Sequence, residues 1–391
     1  MNTCDMLEGI TVVEITSSLA GPFTARILSD MGADVLKIES PNGGDAARKW
    51  GPPFWRGDAT PFHAFNRGKR SVAVDLKDAA QRDALRSFIV ERADVVVQNL
   101  RAGLVDDYGL DAATLRKAAP RLIYCNVGGF GPTGPMRSQL GYEALIQGLT
   151  GLISLTGEPD RDPVRIGASI VDMGTAMWAS IGILAALQRR NATGEGRVVD
   201  ACLYDTGLAW TSLAMAGYQA TGKVPTRQGL RGVAVIPNGA FRATDGLLML
   251  VVGTDAQFRS LCVGLGNPAL ADDVRFTTNA ARRAHEAELM QILNDAFAKK
   301  SRADWCAALT AVGVAAVPLQ DLGEAANSEQ TAASEMLQDC PGDTLRVVGL
   351  PVRFDGVRPQ PTRAVPALGE LSLDDLMKLA KNSPKTGTQR R

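Results

Sequence analysis

"TVVEITSSLAGPFTARILSDMGADVLKIE", residues 11–39, is the stretch on which the fold class turns. Its first five residues, Thr11 to Ile15, are a short run rich in β-branched side chains, the composition that fits a pleated strand. From Ala20 to Ala33 the period changes. Phe23, Ile27, Leu28 and Met31 recur on one side of a helix, and Pro22 is tolerated only if that helix has just begun. Residues 34–39, "DVLKIE", return to strand texture. The alternation continues with "SVAVDL" at 71–76, a helical stretch near 78–92, "DVVVQNL" at 94–100, another helix near 111–119 and "RLIYCNV" at 121–127. Strands separated by helices pair in parallel through right-handed crossovers, so the expected fold is a doubly wound α/β sheet. Ligands of such sheets bind outside the carboxyl ends of the strands. The loops at those ends are "TSSLAG", "SPNGGDAARKWGPPFW", "NLRAG" and "GGFGPTGP".

The last of these loops opens "NVGGFGPTGPMRSQLGYE" (126–143), which contains a formal G-x-G-x-x-G at Gly129, Gly131 and Gly134. A dinucleotide fingerprint needs a helix opening at the glycines and an acidic residue about 20 positions later. Pro132 and Pro135 stand where that helix would begin, and proline inside a helix removes a donor and clashes with the preceding turn. The stretch reads as a rigid glycine/proline loop after a strand. A nicotinamide dehydrogenase becomes a remote alternative.

At 391 residues the chain exceeds the size near which single cores stop growing, about 250–300 residues, so two domains are expected. Lys plus Arg number 42, as do Asp plus Glu, and no global field draws nucleic acid or an anionic membrane. The longest clear apolar run, "LLMLVV" at 247–252, falls far short of a membrane span. The start, "MNTCDMLEGI", lacks the basic flank and apolar core of a secretion signal. Six scattered cysteines without a C-x-x-C pair suggest reduced thiols and a cytoplasmic location. His63 and His285 are the only histidines, which weakens both a histidine metal site and a Ser-His-Asp triad. No metal is expected.

"MGTAMWASIGILAALQ" (173–188) is apolar nearly all round and predicts a buried helix. "VVDACLYD" (198–205) reads as a strand or a helix start. From about residue 222 the texture changes. Asp245-Gly246 between two extended runs is a strong hairpin signal, and helical stretches follow at roughly 255–265, 280–300 and 302–312. The expected organisation is a large domain begun by residues 1–221, a small α+β domain over 222–330, and a return to the large domain over 331–391. Strand-like texture at 344–356 marks that return, and the tail "KNSPKTGTQRR" is expected to be disordered.

Taken together, these stretches resemble the class III CoA-transferase family (the CaiB/BaiF type), which also contains α-methylacyl-CoA racemases. The carriers are "LEGITVVEIT", "LAGPF", "MGADVLKIESPNGGDAAR", "NRGKRSVAVDLK", "VVVQNLRAG", "GFGPTGP" with "GYE", "RIGASIVDMGTAMWA" and the late "PALGE". The resemblance covers almost the whole chain. It implies a Rossmann-like large domain built from both chain ends, a smaller domain from the middle, and an interlocked homodimer. It implies acyl-CoA and small carboxylate substrates, with CoA as a substrate and no tightly bound cofactor.

The position matching the family nucleophile is Asp172. From the residues alone, an Asp before a long apolar helix is most often an N-cap. The two roles are compatible, because a helix N-terminus favours negative charge and would help hold a nucleophilic carboxylate ionised. The resemblance implies that Asp172 attacks the thioester of an acyl-CoA, with Glu143 beside the thioester end. It carries CoA contacts onto Ala20, Ser40, Val74, Lys77, Asn99, Leu100, Leu104 and Tyr142. Core packing competes at Val74, Leu100 and Leu104, and a solvated surface lysine at Lys77. Arg67, Lys69 and Arg70 read as a seat for CoA phosphates or as a solvated turn. "GGFGPTGP" could supply oxyanion donors or turn the chain beside CoA, and its prolines favour the turn. Racemases of this superfamily carry a His where Tyr142 stands, so the transferase reading leads and the racemase and a non-enzymatic CoA-binding protein are alternatives. The oxalate/formyl branch has a Gln at the position of Leu19 and a tetraglycine loop where "VIPNGAF" (235–241) has one glycine. Succinate or a methyl-branched dicarboxylate is therefore favoured over oxalate, with Arg48, Arg101 or Arg165 available to a distal carboxylate.

Overall fold

A computed structural model describes residues 4–101, 103–232 and 234–382. The first strand, β1 (Thr11–Ile15), buries the successive Val12 and Val13 on opposite faces and encloses Ile15 as well, as a central strand of a covered sheet requires. Helix α1 (Ala20–Asp30) follows with Pro22 in its first turn, and β2 (Asp34–Glu39) returns parallel to β1. The chain then lays down β3 (Arg70–Ala73), α2 (Ala79–Arg92), β4 (Val95–Gln98), α3 (Ala112–Ala118) and β5 (Ile123–Gly128). Asp78 and Asp111 cap α2 and α3, each side chain accepting from free first-turn amides. After β5 come α4 (Glu143–Leu149), the long α5 (Ile170–Thr193), β6 (Val198–Cys202), α6 (Leu203–Trp210) and α7 (Ser212–Thr221). "VVDACLYD" is thus a strand running directly into a helix.

The six strands form one parallel sheet in the order β3-β2-β1-β4-β5-β6. The order reverses between β1 and β4, and this doubly wound arrangement opens a crevice at their carboxyl ends. Two strands stop earlier than the sequence suggests. β3 ends at Ala73 rather than 76, and β4 at Gln98 rather than 100, and just beyond them Asp75 and Asn99 accept from loop amides, Lys77 N and Ser17 N.

The middle of the chain forms β7 (Asn238–Ala243) and β8 (Gly246–Val251), the expected hairpin about Asp245-Gly246. Helices α8 (Asp255–Gly264), α9 (Glu286–Phe297) and α10 (Arg302–Thr310) precede β9 (Ala315–Pro318), which pairs antiparallel with β8. Phe241, Phe258, Phe276, Phe297 and Trp305 fill this unit's own core. The helix expected over 280–300 is two helices broken at His285.

The chain divides into one unit of residues 1–152, 165–221 and 329–391 and another of 153–164 and 222–328. Residues 153–164, placed by the sequence in the large N-terminal segment, group with the middle unit instead. Strand texture at 344–356 yields only Val347–Val348, antiparallel to Leu337–Gln338 and outside the main sheet. The return leg reaches that sheet later, where Leu371 bridges Val72 and its amide donates to Ser71 O at 3.0 Å. Helix α11 (Leu373–Asn382) then packs on α2 through buried Leu376. Of the tail expected to be disordered, residues 383–391 lie outside the described residues.

Helix α5 corrects a further expectation. Ala176, Ala179 and Ile183 are fully buried, but Met173, Met177, Trp178 and Ile181 on the opposite side are a third to a half exposed. An all-round apolar pattern leaves a helix two apolar faces, and a single chain covers one. The helix is also long and apolar enough to cross a membrane by length and composition, which its interspersed Gly, Ser and Thr hide from a reading of uninterrupted apolar runs. Its buried half packs within the large unit.

Candidate active site

The crevice at the sheet's reversal is built by the loops after β1 and β4. Asn99 ties them together, its Oδ1 accepting from Ser17 N at 2.9 Å and its Nδ2 donating to Ser17 O at 2.7 Å. Asp45 Oδ1 accepts from Ser18 N at 2.9 Å and holds Ser18 in a left-handed conformation (φ 78°) that is uncommon for a non-glycine residue. A cavity of about 760 Å³ opens there. Ala20, Asn99, Leu100, Tyr142, Glu143 and Asp172 line it. Ser40, Val74, Lys77 and Leu104 line a second cavity of about 260 Å³, and Leu100 belongs to both. The residues marked in the sequence therefore occupy two adjoining hollows, with Lys77 exposed at the smaller one.

The glycine-rich loop closes one wall. Gly129 and Gly141 stand back to back, so close that a Cβ on Gly141 would lie 2.5 Å from Gly129 Cα. No side chain fits between them. This contact closes the loop of residues 129–141 and delivers Tyr142-Glu143 opposite the start of α5.

Asp172 is not the N-cap of α5. Ser169 holds that position without a side-chain bond, and Asp172 is the helix's third residue. Glu143, 29 residues earlier, does the capping. Its Oε2 accepts from Asp172 N at 2.7 Å and its Oε1 from Val171 N at 3.2 Å. Gln147 Nε2 adds a third donor to Oε1 at 2.6 Å. These three N–H donors fix the Glu143 carboxyl over the first turn of α5. The Asp172 carboxyl is pushed up from 3.8 to about 7, first by burial and then by the charge of Glu143 and a hydrogen bond to it. Here the sequence expectation reverses. A helix N-terminus alone would favour the anion, but burial and the neighbouring acid outweigh it.

The supposed phosphate seat is also corrected. Arg67 and Lys69 are buried side chains. Arg67 pairs with Asp30 at 2.9 Å, and Lys69 with Glu14 at 2.7 Å. Arg70 pairs with Asp34 at the surface. Arg48 is likewise committed, to Glu39 at 2.7 Å and Asp58 at 2.8 Å, so it is not free for a distal carboxylate. Arg165 is exposed but lines neither cavity, whereas Arg101 lines the larger one. Arg137, Trp50 and Phe130 line it too and were not singled out in the sequence. Gln98, Asn126 and Asp200 were also missed. Their signal was present, as each is a polar residue that ends or interrupts an otherwise apolar strand, "VVVQ", "IYCNVG" and "VVDAC".

Residues 7–372 match CoA-transferase family III. A succinate–glutarate CoA-transferase from Agrobacterium fabrum is 38% identical over 373 residues, covering 93% of each chain. An acetyl-CoA:oxalate CoA-transferase from Acetobacter aceti is 38% identical over 351 residues, covering 89% of each. The crystal structure of a CaiB/BaiF family protein from Brucella suis, 38% identical, matches with a TM-score of 0.88 over 97% of this chain and 100% of that one. A Rossmann-like sheet with an acid pair at its crevice and a family match across nearly the full length lead to one assignment: the chain belongs to CoA-transferase family III and is a CoA-transferase.

Proposed function

We propose that this enzyme moves CoA from an acyl-CoA donor, with succinyl-CoA the leading choice, to a small carboxylic or dicarboxylic acid through a thioester on Asp172. The observation that carries this reading is the carboxyl pair Glu143–Asp172 lining the crevice cavity, with Asp172 raised to about 7. At neutral pH such a group is close to half ionised and supplies a carboxylate that is poorly solvated, hence reactive. Ionised Asp172 attacks the thioester carbonyl, the C–S bond breaks, and an acyl-aspartyl anhydride and CoA thiolate result. The thiolate attacks the aspartyl carbonyl, forming the enzyme–CoA thioester and releasing the donor acid. An acceptor carboxylate reverses both steps and leaves as its CoA ester. No proton is consumed overall, and no cofactor is required. Glu143 acts through Asp172, fixing the first turn of α5 and setting the ionisation of the nucleophile.

The CoA contacts are proposed at Ala20, Ser40, Val74, Lys77, Asn99, Leu100, Leu104 and Tyr142, along the two adjoining cavities. For the acceptor, the names of relatives from Agrobacterium fabrum and Haloarcula hispanica, a succinate–glutarate and a succinyl-CoA:mesaconate CoA-transferase, favour dicarboxylates. The Acetobacter aceti relative keeps oxalate in the assay panel. Arg101 is the cation from the sequence reading that remains for a distal carboxylate. The apolar outer face of α5, continued by Trp210, Leu213 and Tyr218 on α6 and α7, supports an interlocked homodimer, because patches of this kind mark subunit interfaces. The scattered cysteines support a cytoplasmic location. Racemisation is the second reading, favoured only if solvent deuterium enters the α-carbon of an acyl-CoA without an acid acceptor.

The test is to incubate the enzyme with acyl-CoA and measure intact and peptide mass. A CoA adduct on the peptide containing Asp172, lost on adding acceptor acid or hydroxylamine, is expected, and Asp172→Ala is expected to lose the adduct and CoA exchange while still binding CoA. Appreciable turnover in Asp172→Ala overturns the assignment.

A further inference from the structure

The large cavity contains a polar ladder that the exchange steps leave unused. Gln98, Asn126 and Asp200 are register partners on β4, β5 and β6, and all three line the cavity that contains Asp172. Leu100 N donates to Gln98 Oε1 at 2.8 Å, Gln98 Nε2 donates to Asn126 Oδ1 at 2.5 Å, and Asn126 Nδ2 donates to Asp200 Oδ1 at 2.7 Å. The direction of this chain is fixed at its origin. A backbone N–H can only donate, so Gln98 must turn its oxygen to Leu100 and its nitrogen to Asn126, and Asn126 must in turn offer its nitrogen to Asp200. The ladder therefore needs an acceptor at its end. Asp200 meets that need with Oδ1 and is exposed at the cavity, its Oδ2 carrying no hydrogen bond to the described residues.

A carboxylate in that place repels phosphates and acid substrates and attracts an N–H donor. Acyl-CoA offers neutral N–H donors on its adenine and, as two amides, on its pantetheine arm, and the arm is the part that carries the thioester toward Asp172, which lines the same cavity as Asp200. We propose that Asp200 is a binding residue for this arm, its Oδ2 accepting a pantetheine amide N–H while the Gln98–Asn126 ladder holds Oδ1. The proposal rests on the CoA-transferase reading above.

The ladder makes the ranking of variants diagnostic. In Asp200→Asn the single side-chain oxygen is claimed by Asn126, which turns an NH₂ toward the cavity and sets donor against donor. Asp200→Ala removes both and leaves room for water. A residue with only a structural role gives the opposite order, since Asn still accepts from Asn126 and Ala does not. Calorimetric titration of the full chain with CoA and with 3′,5′-ADP, which lacks the arm, distinguishes the two. Loss of a charge-assisted bond weakens binding by about tenfold or more. Expected CoA affinities run wild type, then Asp200→Ala, then Asp200→Asn at about tenfold or more below wild type, with 3′,5′-ADP affinity unchanged throughout. CoA binding by Asp200→Asn at wild-type strength, a weaker Asp200→Ala than Asp200→Asn, or a parallel loss of 3′,5′-ADP overturns the proposal. If wild type itself binds no CoA, the transferase mechanism falls first and this proposal with it.

Discussion

Glu39 and Asp45, at and just beyond the end of β2, are 4% and 3% exposed, yet burial does not neutralise them. Burial pushes both carboxyls up, but Arg48 and Ser71 at Glu39, and Lys37 with backbone amides at Asp45, hold both below their ordinary values. Lys37 in turn lies 2.8 Å from both Glu14 and Asp45, and those anions hold its ammonium above the usual value against burial. Asp172 is less enclosed, but its neighbour is another acid and its carboxyl rises to about 7. The difference lies in the partner rather than in depth. Where cations were supplied, the acids became fixed struts, and Asp45 uses its anchorage to pin Ser18 at the cavity rim. Where none was supplied, a carboxyl was left with two accessible protonation states, the condition covalent chemistry needs.

Removing the cation from the strut is expected to have the largest effect. Lys37→Ala leaves Asp45 and one oxygen of Glu14 buried without their partner, and breaking such a pair costs about 3–5 kcal/mol. Urea unfolding at neutral pH should show that loss, and a change below about 1 kcal/mol would mean that the cluster is wet and unlike the strut described. Gly141→Ala should cost about 2–3 kcal/mol, because its Cβ overpacks Gly129. It should also lower exchange further than the stability loss explains, since Glu143 leaves its place over α5.

Asp172→Asn sharpens the comparison with a change of opposite sign. The folded-state carboxyl titrates at about 7, against 3.8 ordinarily. Below about pH 4 both folded and unfolded chains carry the proton and nothing is lost. Between about 4 and 7 the unfolded chain releases it while the folded chain keeps it, so stability falls as pH rises and is flat above. A rise from 3.8 to about 7 corresponds to about 4 kcal/mol, which solvent screening of a partly exposed carboxyl reduces. Asp172→Asn should therefore be more stable than wild type by about 1–2 kcal/mol at pH about 8 and nearly equal to it at pH about 4. Denaturant titrations at both pH values check this. Glu143→Gln should have the smallest effect. The acidic limb of kcat/KM, near 7 in wild type, should move down by about one unit once the neighbouring charge is gone.

The sheet was legible because its signals are local. Each strand and helix of the alternating pattern is encoded within ten or so residues, whereas the strand order and its reversal between β1 and β4 were not legible, because crossover rules fix handedness and not which strands become neighbours. The site was legible in part. Asp172 and Glu143 could be marked, but not the capping of α5 by Glu143, which spans 29 residues and depends on Gly129 meeting Gly141. Arg48, Arg67 and Lys69 looked like free cations because their partners, Glu39, Asp30 and Glu14, lie on other elements. The outer face of α5 was illegible for a different reason, since hydrophobicity marked the helix as apolar all round and did not say that this fold would bury only one side of it.

The most direct measurement is a carbon-13 NMR titration of the Asp172 carboxyl, assigned by difference against Asp172→Asn, in wild type and in Glu143→Gln. The expected midpoint is about 7 in wild type, falling by about a unit or more when Glu143 loses its charge. A wild-type midpoint near 4, unmoved by Glu143→Gln, would contradict the acid pair and leave Asp172 an ordinary carboxylate in the first turn of a helix.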